Sequence, residues 1–142
     1  MENIKVYKAS KFLTLPLDFY LNPVCAGFPS PAEDHLDIAL DLNEHLIKHP
    51  AATFYIYAKG NSMENLGIYD GDIMVVDRSL EASSGNVVIA ALAGEFTVKQ
   101  LIIKENKTYL VPANKNYKPM LITADTDIQI LGVVIHSIHS FK

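Results

Sequence analysis

The amino-acid sequence predicts a mostly β protein: several small curved sheets, a short helix and an extended N-terminal arm. Three observations carry that expectation. From Pro50 onward, β-branched and aromatic residues gather in short runs broken by Gly or Asp, the pattern of strands joined by turns. Residues 32–50 alone place apolar side chains at roughly helical spacing. Before that, Pro16, Pro23, Pro29 and Pro31 remove backbone donors and disfavour both helix and central strand.

The elements follow in chain order. Residues 1–40 read as an arm, extended in part, whose Phe12, Leu13, Leu15, Leu17, Phe19, Tyr20 and Leu21 need a surface to lie against. Residues 41–142 read as the folded domain. In "AEDHLDIALDLNEHLIKHP", Leu36, Ala39, Leu40, Leu46 and Ile47 suggest a helix that Pro50 stops. Asp41 could instead cap a shorter piece beginning Leu42, Asn43, Glu44. Strands are expected at "ATFYIYAK", "DIMVVD", "NVVIAAL", "EFTVKQLII", "TYLVPA" and "IQILGVVIHSI", with a tight hairpin turning at Ala93-Gly94. One β-dominated domain results.

Composition excludes several classes. A net charge of −4 over 142 residues argues against a broad DNA-binding face, since phosphate contacts need clustered Lys and Arg. One cysteine, Cys25, allows no internal disulfide. No apolar run approaches the ~20 residues of a membrane span. Lys5, Lys8 and Lys11 before "FLTLPLDFYLNPVCAG" loosely suggest a lipoprotein signal, but Pro16, Asp18 and Asn22 interrupt its apolar core. Pro23 and Val24 also stand where small residues would precede a lipidated cysteine. The expected location is cytoplasmic.

Two stretches could carry chemistry. In "GNSMENLGIYDGD", Ser62 follows a strand directly and sits two residues after Gly60; it is either an exposed nucleophile or a turn serine capping a nearby amide. In "GEFTVKQLII", alternation puts Thr97, Lys99, Leu101 and Ile103 on one strand face. Lys99 is then either a solvated lysine or one whose burial favours the neutral amine, a base. A neutral lysine beside a serine hydroxyl is a known way of activating a nucleophile without histidine or aspartate. The pairs His45/His49 and His136/His139 lack any metal-site motif, so no metal and no cofactor is expected. Cys25, in a proline-flanked arm, does not resemble the electropositive setting of a reactive thiol.

From "FPSPAEDHLDIALDLNEHLIKHP" through "YIYAKGNSMENLGIYDGDIMVVD" and "EFTVKQL" to "YLVPANKNYKPMLI" and "IQILGVVIH", the chain resembles the UmuD branch of the LexA family. These are self-cleaving serine–lysine peptidases distantly like type I signal peptidases. The resemblance implies a LexA-like catalytic domain over 41–142 and a cleavable arm over 1–40. It makes Ser62 the nucleophile and Lys99 the general base, with the backbone amides of Asn61 and Ser62 as oxyanion hole. The scissile bond it implies is Ala26-Gly27 in "VCAGFP", with Cys25-Ala26 the alternative. Asn61 departs from the Gly-Asp-Ser-Met usual in the family. The partners implied are a second copy in a homodimer, the RecA–single-stranded-DNA filament that triggers cleavage, and the UmuC-like catalytic subunit of DNA polymerase V. Strong direct nucleic-acid binding and membrane attachment are not implied. The alternatives are a LexA-like self-cleaving regulator and a non-catalytic interaction module for DNA-repair proteins. The 26 residues before the cleavage site are too few for a helix-turn-helix domain.

Overall fold

A computed structural model describes residues 6–8, 14–20, 24, 26, 27 and 36–142. Close contacts divide the chain into two units, one made of Met1–Ala9 with His49–Lys142 and the other of Ser10–Lys48.

The larger unit is built on antiparallel pairing throughout. Its strands are β1 (Val6–Lys8), β4 (Thr53–Tyr57), β5 (Ile73–Asp77), β6 (Val87–Leu92), β7 (Glu95–Lys104), β8 (Lys107–Val111), β9 (Met120–Ile122) and β10 (Ile128–Ile138). They hydrogen-bond in the order β1-β4-β5-β10-β6-β7-β8-β9. Each strand from β4 to β8, and β10, covers a run that the sequence marks; β1 and β9 are too short to leave a pattern.

Local chemistry explains the connections. At the β6–β7 turn, Ala93 (φ 49°) and Gly94 (φ 80°) are both left-handed, as a two-residue hairpin that follows strand twist requires. Leu92 and Glu95 close it as a facing pair. Glu105 and Asn106 turn the β7–β8 hairpin in the same way. β10 runs between β5 and β6, and its register shifts at Ile130/Gly132 and again at Val134/His136. The first shift needs a glycine for space: a Cβ at Gly132 would lie 2.7 Å from Val76 Cγ1 and 3.1 Å from the Asp77 carbonyl oxygen.

Period-2 alternation splits the apolar residues between two clusters. Phe54, Ile56, Met63, Met74, Val76 and Ile89 pack together, with Val87 and Val98 against them. Val88, Ala90, Leu101, Leu110 and Val133 form the other. Successive β6 residues thus alternate between clusters, which is why its sequence is almost continuously apolar.

In the smaller unit, β2 (Pro16–Tyr20) pairs antiparallel with β3 (Leu36–Asp41), followed by the single turn α1 (Leu42–Leu46). This corrects the longer helix expected over 32–50. "LDIALD" also alternates apolar with polar or small residues, and pairing with β2 satisfies its backbone as a strand. The shorter alternative holds. Asp41 is the N-cap, its Oδ1 accepting the Asn43 amide at 3.1 Å and its Oδ2 the Leu15 amide at 3.2 Å. Ala26 and Gly27 lie in an exposed bend, and Val24 is fully exposed; Cys25 lies outside the described residues.

Candidate active site

Ser62 stands on a connection that is fixed at both ends. Beyond β4, Ala58 donates its amide to the Asp72 carbonyl and accepts the Gly71 amide, each at 2.8 Å. The chain then reverses at Gly60, whose φ of 86° suits glycine and whose amide meets Asp70 Oδ1 at 2.6 Å. Ser62 itself is half-buried, and Met63, 1% exposed, anchors the following 3₁₀ turn in the core. The serine therefore sits between a left-handed turn and a buried side chain, with little freedom to drift.

Lys99 reaches the same place from β7, where it faces Val88 of β6. Its Nζ lies 3.1 Å from Ser62 Oγ, 2.9 Å from Thr97 Oγ1 and 2.9 Å from the Val98 carbonyl oxygen. No carboxylate is among these partners, and burial pulls its pKa below the ordinary lysine value. A neutral amine has two N–H groups and one lone pair. Thr97 and Val98 can take the two hydrogens, which leaves the lone pair for the Ser62 hydroxyl. The two residues line a cleft of about 110 Å³ floored by Ile56, Ala58, Met74 and Ile89.

The residue before the serine is gripped from a third direction. The Asn61 carbonyl accepts Asn114 Nδ2 at 2.8 Å, and Asn61 Oδ1 accepts the Tyr117 hydroxyl at 2.6 Å. Thus the sequence-predicted Asn61, Ser62 and Lys99 come together, although Lys99 lies 37 positions from Ser62. Ala26 and Gly27 belong to the other unit. Alternation places Thr97 on the strand face of Lys99 without showing that it bonds the amine, whereas nothing local in the sequence marks Asn114 or Tyr117.

Two histidines have structural partners. His49 Nδ1 lies 2.6 Å from Asp77 Oδ2, and His139 Nδ1 lies 2.5 Å from Asp72 Oδ1. Burial would push both carboxyls up, but their hydrogen bonds outweigh it and hold them below the ordinary aspartate value. For Asp77 these come from Ser79 and His49; for Asp72, from the Tyr69 amide, His139 and Ser137. Among the described residues, no helix is long and apolar enough to cross a membrane.

The antiparallel sheet thus brings a serine hydroxyl within hydrogen-bond distance of a partly buried lysine amine, a pairing able to activate a nucleophile. Residues 18–135 match the family described as Peptidase S24-like, and the chain belongs to that family. It is similar to the protein MucA of Salmonella typhimurium, 44% identical over 131 residues that cover 92% of this chain and 88% of MucA. SamA of Salmonella typhimurium is 46% identical over 82% of the chain and 81% of its own length. Both are UmuD-like proteins. A LexA repressor of Shewanella denitrificans is 37% identical over 78% of the chain, which spans about half (52%) of that repressor.

Proposed function

We propose that the chain is a serine peptidase that cuts itself at Ala26-Gly27, using Ser62 as nucleophile and Lys99 as general base. The observation that carries this reading is the 3.1 Å contact between Ser62 Oγ and a lysine amine that burial biases toward its neutral form. Ser62 Oγ attacks the Ala26 carbonyl carbon as its proton passes to Lys99 Nζ. The carbonyl oxygen becomes an oxyanion held by the backbone amides of Asn61 and Ser62. Collapse breaks the Ala26–Gly27 bond, and Lys99 returns the proton to the Gly27 amine. Water, activated by Lys99, then frees Ala26 from the serine ester.

Supplying the substrate on the arm, within one chain or between two copies, raises its effective concentration greatly. Ala26 and Gly27 are small and lie in an exposed bend, features that suit entry into a narrow cleft. The shortened product, beginning at Gly27, then serves as accessory subunit of an error-prone translesion polymerase in the SOS response, with RecA on single-stranded DNA stimulating the cut. Support for that context is the identity with UmuD-like relatives and with a LexA repressor.

Incubating the purified chain at alkaline pH, or with RecA, an ATP analogue and single-stranded DNA, is expected to yield a fragment whose first residue is Gly27. Ser62→Ala and Lys99→Ala should each lower its rate of formation by about 10³-fold or more. A fragment still formed by either variant at the parent rate would end the serine–lysine assignment, and one beginning at Ala26 would move the scissile bond.

A further inference from the structure

The loop between β8 and β9 makes a set of contacts that the sheet itself does not need. Asn114 and Tyr117 both bond to Asn61, and the Ala113 carbonyl accepts the Asn65 amide at 2.8 Å on the other side of the serine. The loop is internally braced, with Asn114 Oδ1 accepting the Asn116 amide at 2.9 Å and the Asn114 carbonyl accepting the Tyr117 amide at 3.1 Å. One rigid segment therefore holds residues 61 and 65, on either side of Ser62.

The geometry of the peptide bond gives that grip a consequence. The Asn61 carbonyl and the Ser62 N–H belong to the same planar trans peptide and point in opposite directions. A donor that captures the carbonyl oxygen on one side thereby sets where the Ser62 N–H points on the other. Tyr117, by holding the Asn61 side chain, restrains the same peptide about a second axis.

We propose that Asn114 and Tyr117 are positioning residues for the self-cleavage reaction: through Asn61 they aim the Ser62 amide at the oxyanion. The inference rests on the serine-peptidase reading. It also gives the Asn61 side chain a role, since its Oδ1 is the acceptor that Tyr117 holds. The residues act through Asn61 and touch neither Ser62 Oγ nor Lys99, so the proton transfer should not feel them.

The test uses the full chain with Asn114→Leu, which removes the donor at similar size without adding charge, and Tyr117→Phe, which removes only the hydroxyl. Lys115→Ala, in the same loop, is the control. Two readouts are taken: the self-cleavage rate across pH, and hydrogen exchange at the Ser62 amide. Both variants are expected to lower the high-pH rate by roughly tenfold to a hundredfold, below the loss from deleting an oxyanion donor outright. They should speed exchange at Ser62, leave the pH midpoint of the rate in place, and leave the melting temperature within a few degrees of the parent. The control should match the parent.

Rates within twofold of the parent would overturn the proposal, as would unchanged exchange at Ser62. A shifted pH midpoint would also overturn it, by placing the effect on Lys99, and so would loss of rate only in step with loss of stability. Failure of the underlying reading is separate, because it would appear as cleavage by Ser62→Ala. The exchange measurement does not depend on cleavage.

Discussion

Lys99 shows how a single side chain couples chemistry to stability. Burial lowers its pKa in the folded chain, so between that value and the ordinary 10.5 the unfolded chain holds the proton more tightly. The penalty for folding with a charged amine is complete below the folded value, and it is relieved as pH rises toward 10.5. Stability contributed at this site should therefore increase with pH, in the same direction as the cleavage rate. Lys99→Met, similar in length but uncharged, is expected to unfold at a higher urea concentration than the parent at pH 7, with the gap closing above pH 10. Urea titrations at the two pH values measure this. The buried aspartates have the opposite sign. Asp72 and Asp77 are held below their usual value of 3.8, so their contribution is present above that pH and is lost as pH falls through the folded value. Asp77, 1% exposed, accepts the Ser79 amide at 2.8 Å and the Ser79 hydroxyl at 2.6 Å, besides contacting His49. Asp77→Asn exchanges an acceptor oxygen for an amide N–H₂ donor that must find other partners, at an expected cost of roughly 1–3 kcal/mol near neutrality. Chemical denaturation reads it directly.

Individual turns and strands carry their own predictions. Ala93 holds a φ of 49°, where a Cβ is disfavoured, at the first position of a hairpin turn suited to Asn or Gly. Ala93→Asn should stabilise the chain by about 0.5–1 kcal/mol, visible as a raised melting temperature. Gly132→Ala should act oppositely. Its Cβ would press on Val76 and on backbone of β5, destabilising by about 1–3 kcal/mol unless the bulge shifts. Strand periodicity made most of these elements legible, because runs such as "DIMVVD" and "NVVIAAL" admit few other placements. The segment Leu36–Asp41 departs from the expected helix because its apolar spacing fits both a helix and a strand over six residues. Which one forms depends on β2, a partner that local pattern does not contain. The cap at Asp41 was legible because capping is a local contact.

At the scale of the molecule, the bond proposed for cleavage lies C-terminal to both β1 and β2. β1 pairs with β4, with Tyr7 facing Tyr55, and β2 pairs with β3. A cut at Ala26-Gly27 leaves both pairings held by non-covalent contacts alone. Release of the 26-residue fragment would turn β4 into an edge strand, with backbone groups open to solvent or to another strand. The outer amides of β4 are therefore expected to exchange faster in the separated product than in the full chain, while β6 and β7 stay protected. Equal protection of β4 in both forms would mean that β1 contributes nothing to holding that edge.

The sequence by itself determined the β-rich class, the order of most strands, the Ala93-Gly94 hairpin and the candidates Ser62 and Lys99. These rest on period, turn chemistry and local motif, all of which lie within a few neighbouring residues. Only the tertiary structure decided that Lys99 is desolvated within reach of Ser62, that Thr97 shares its amine, and that Asn114 and Tyr117 hold Asn61. Those relations join β4, β7 and the β8–β9 loop, and their distances follow from strand pairing and core packing across the sheet. Pairing of that kind is a property of the folded chain, which is why no window of the sequence displayed it.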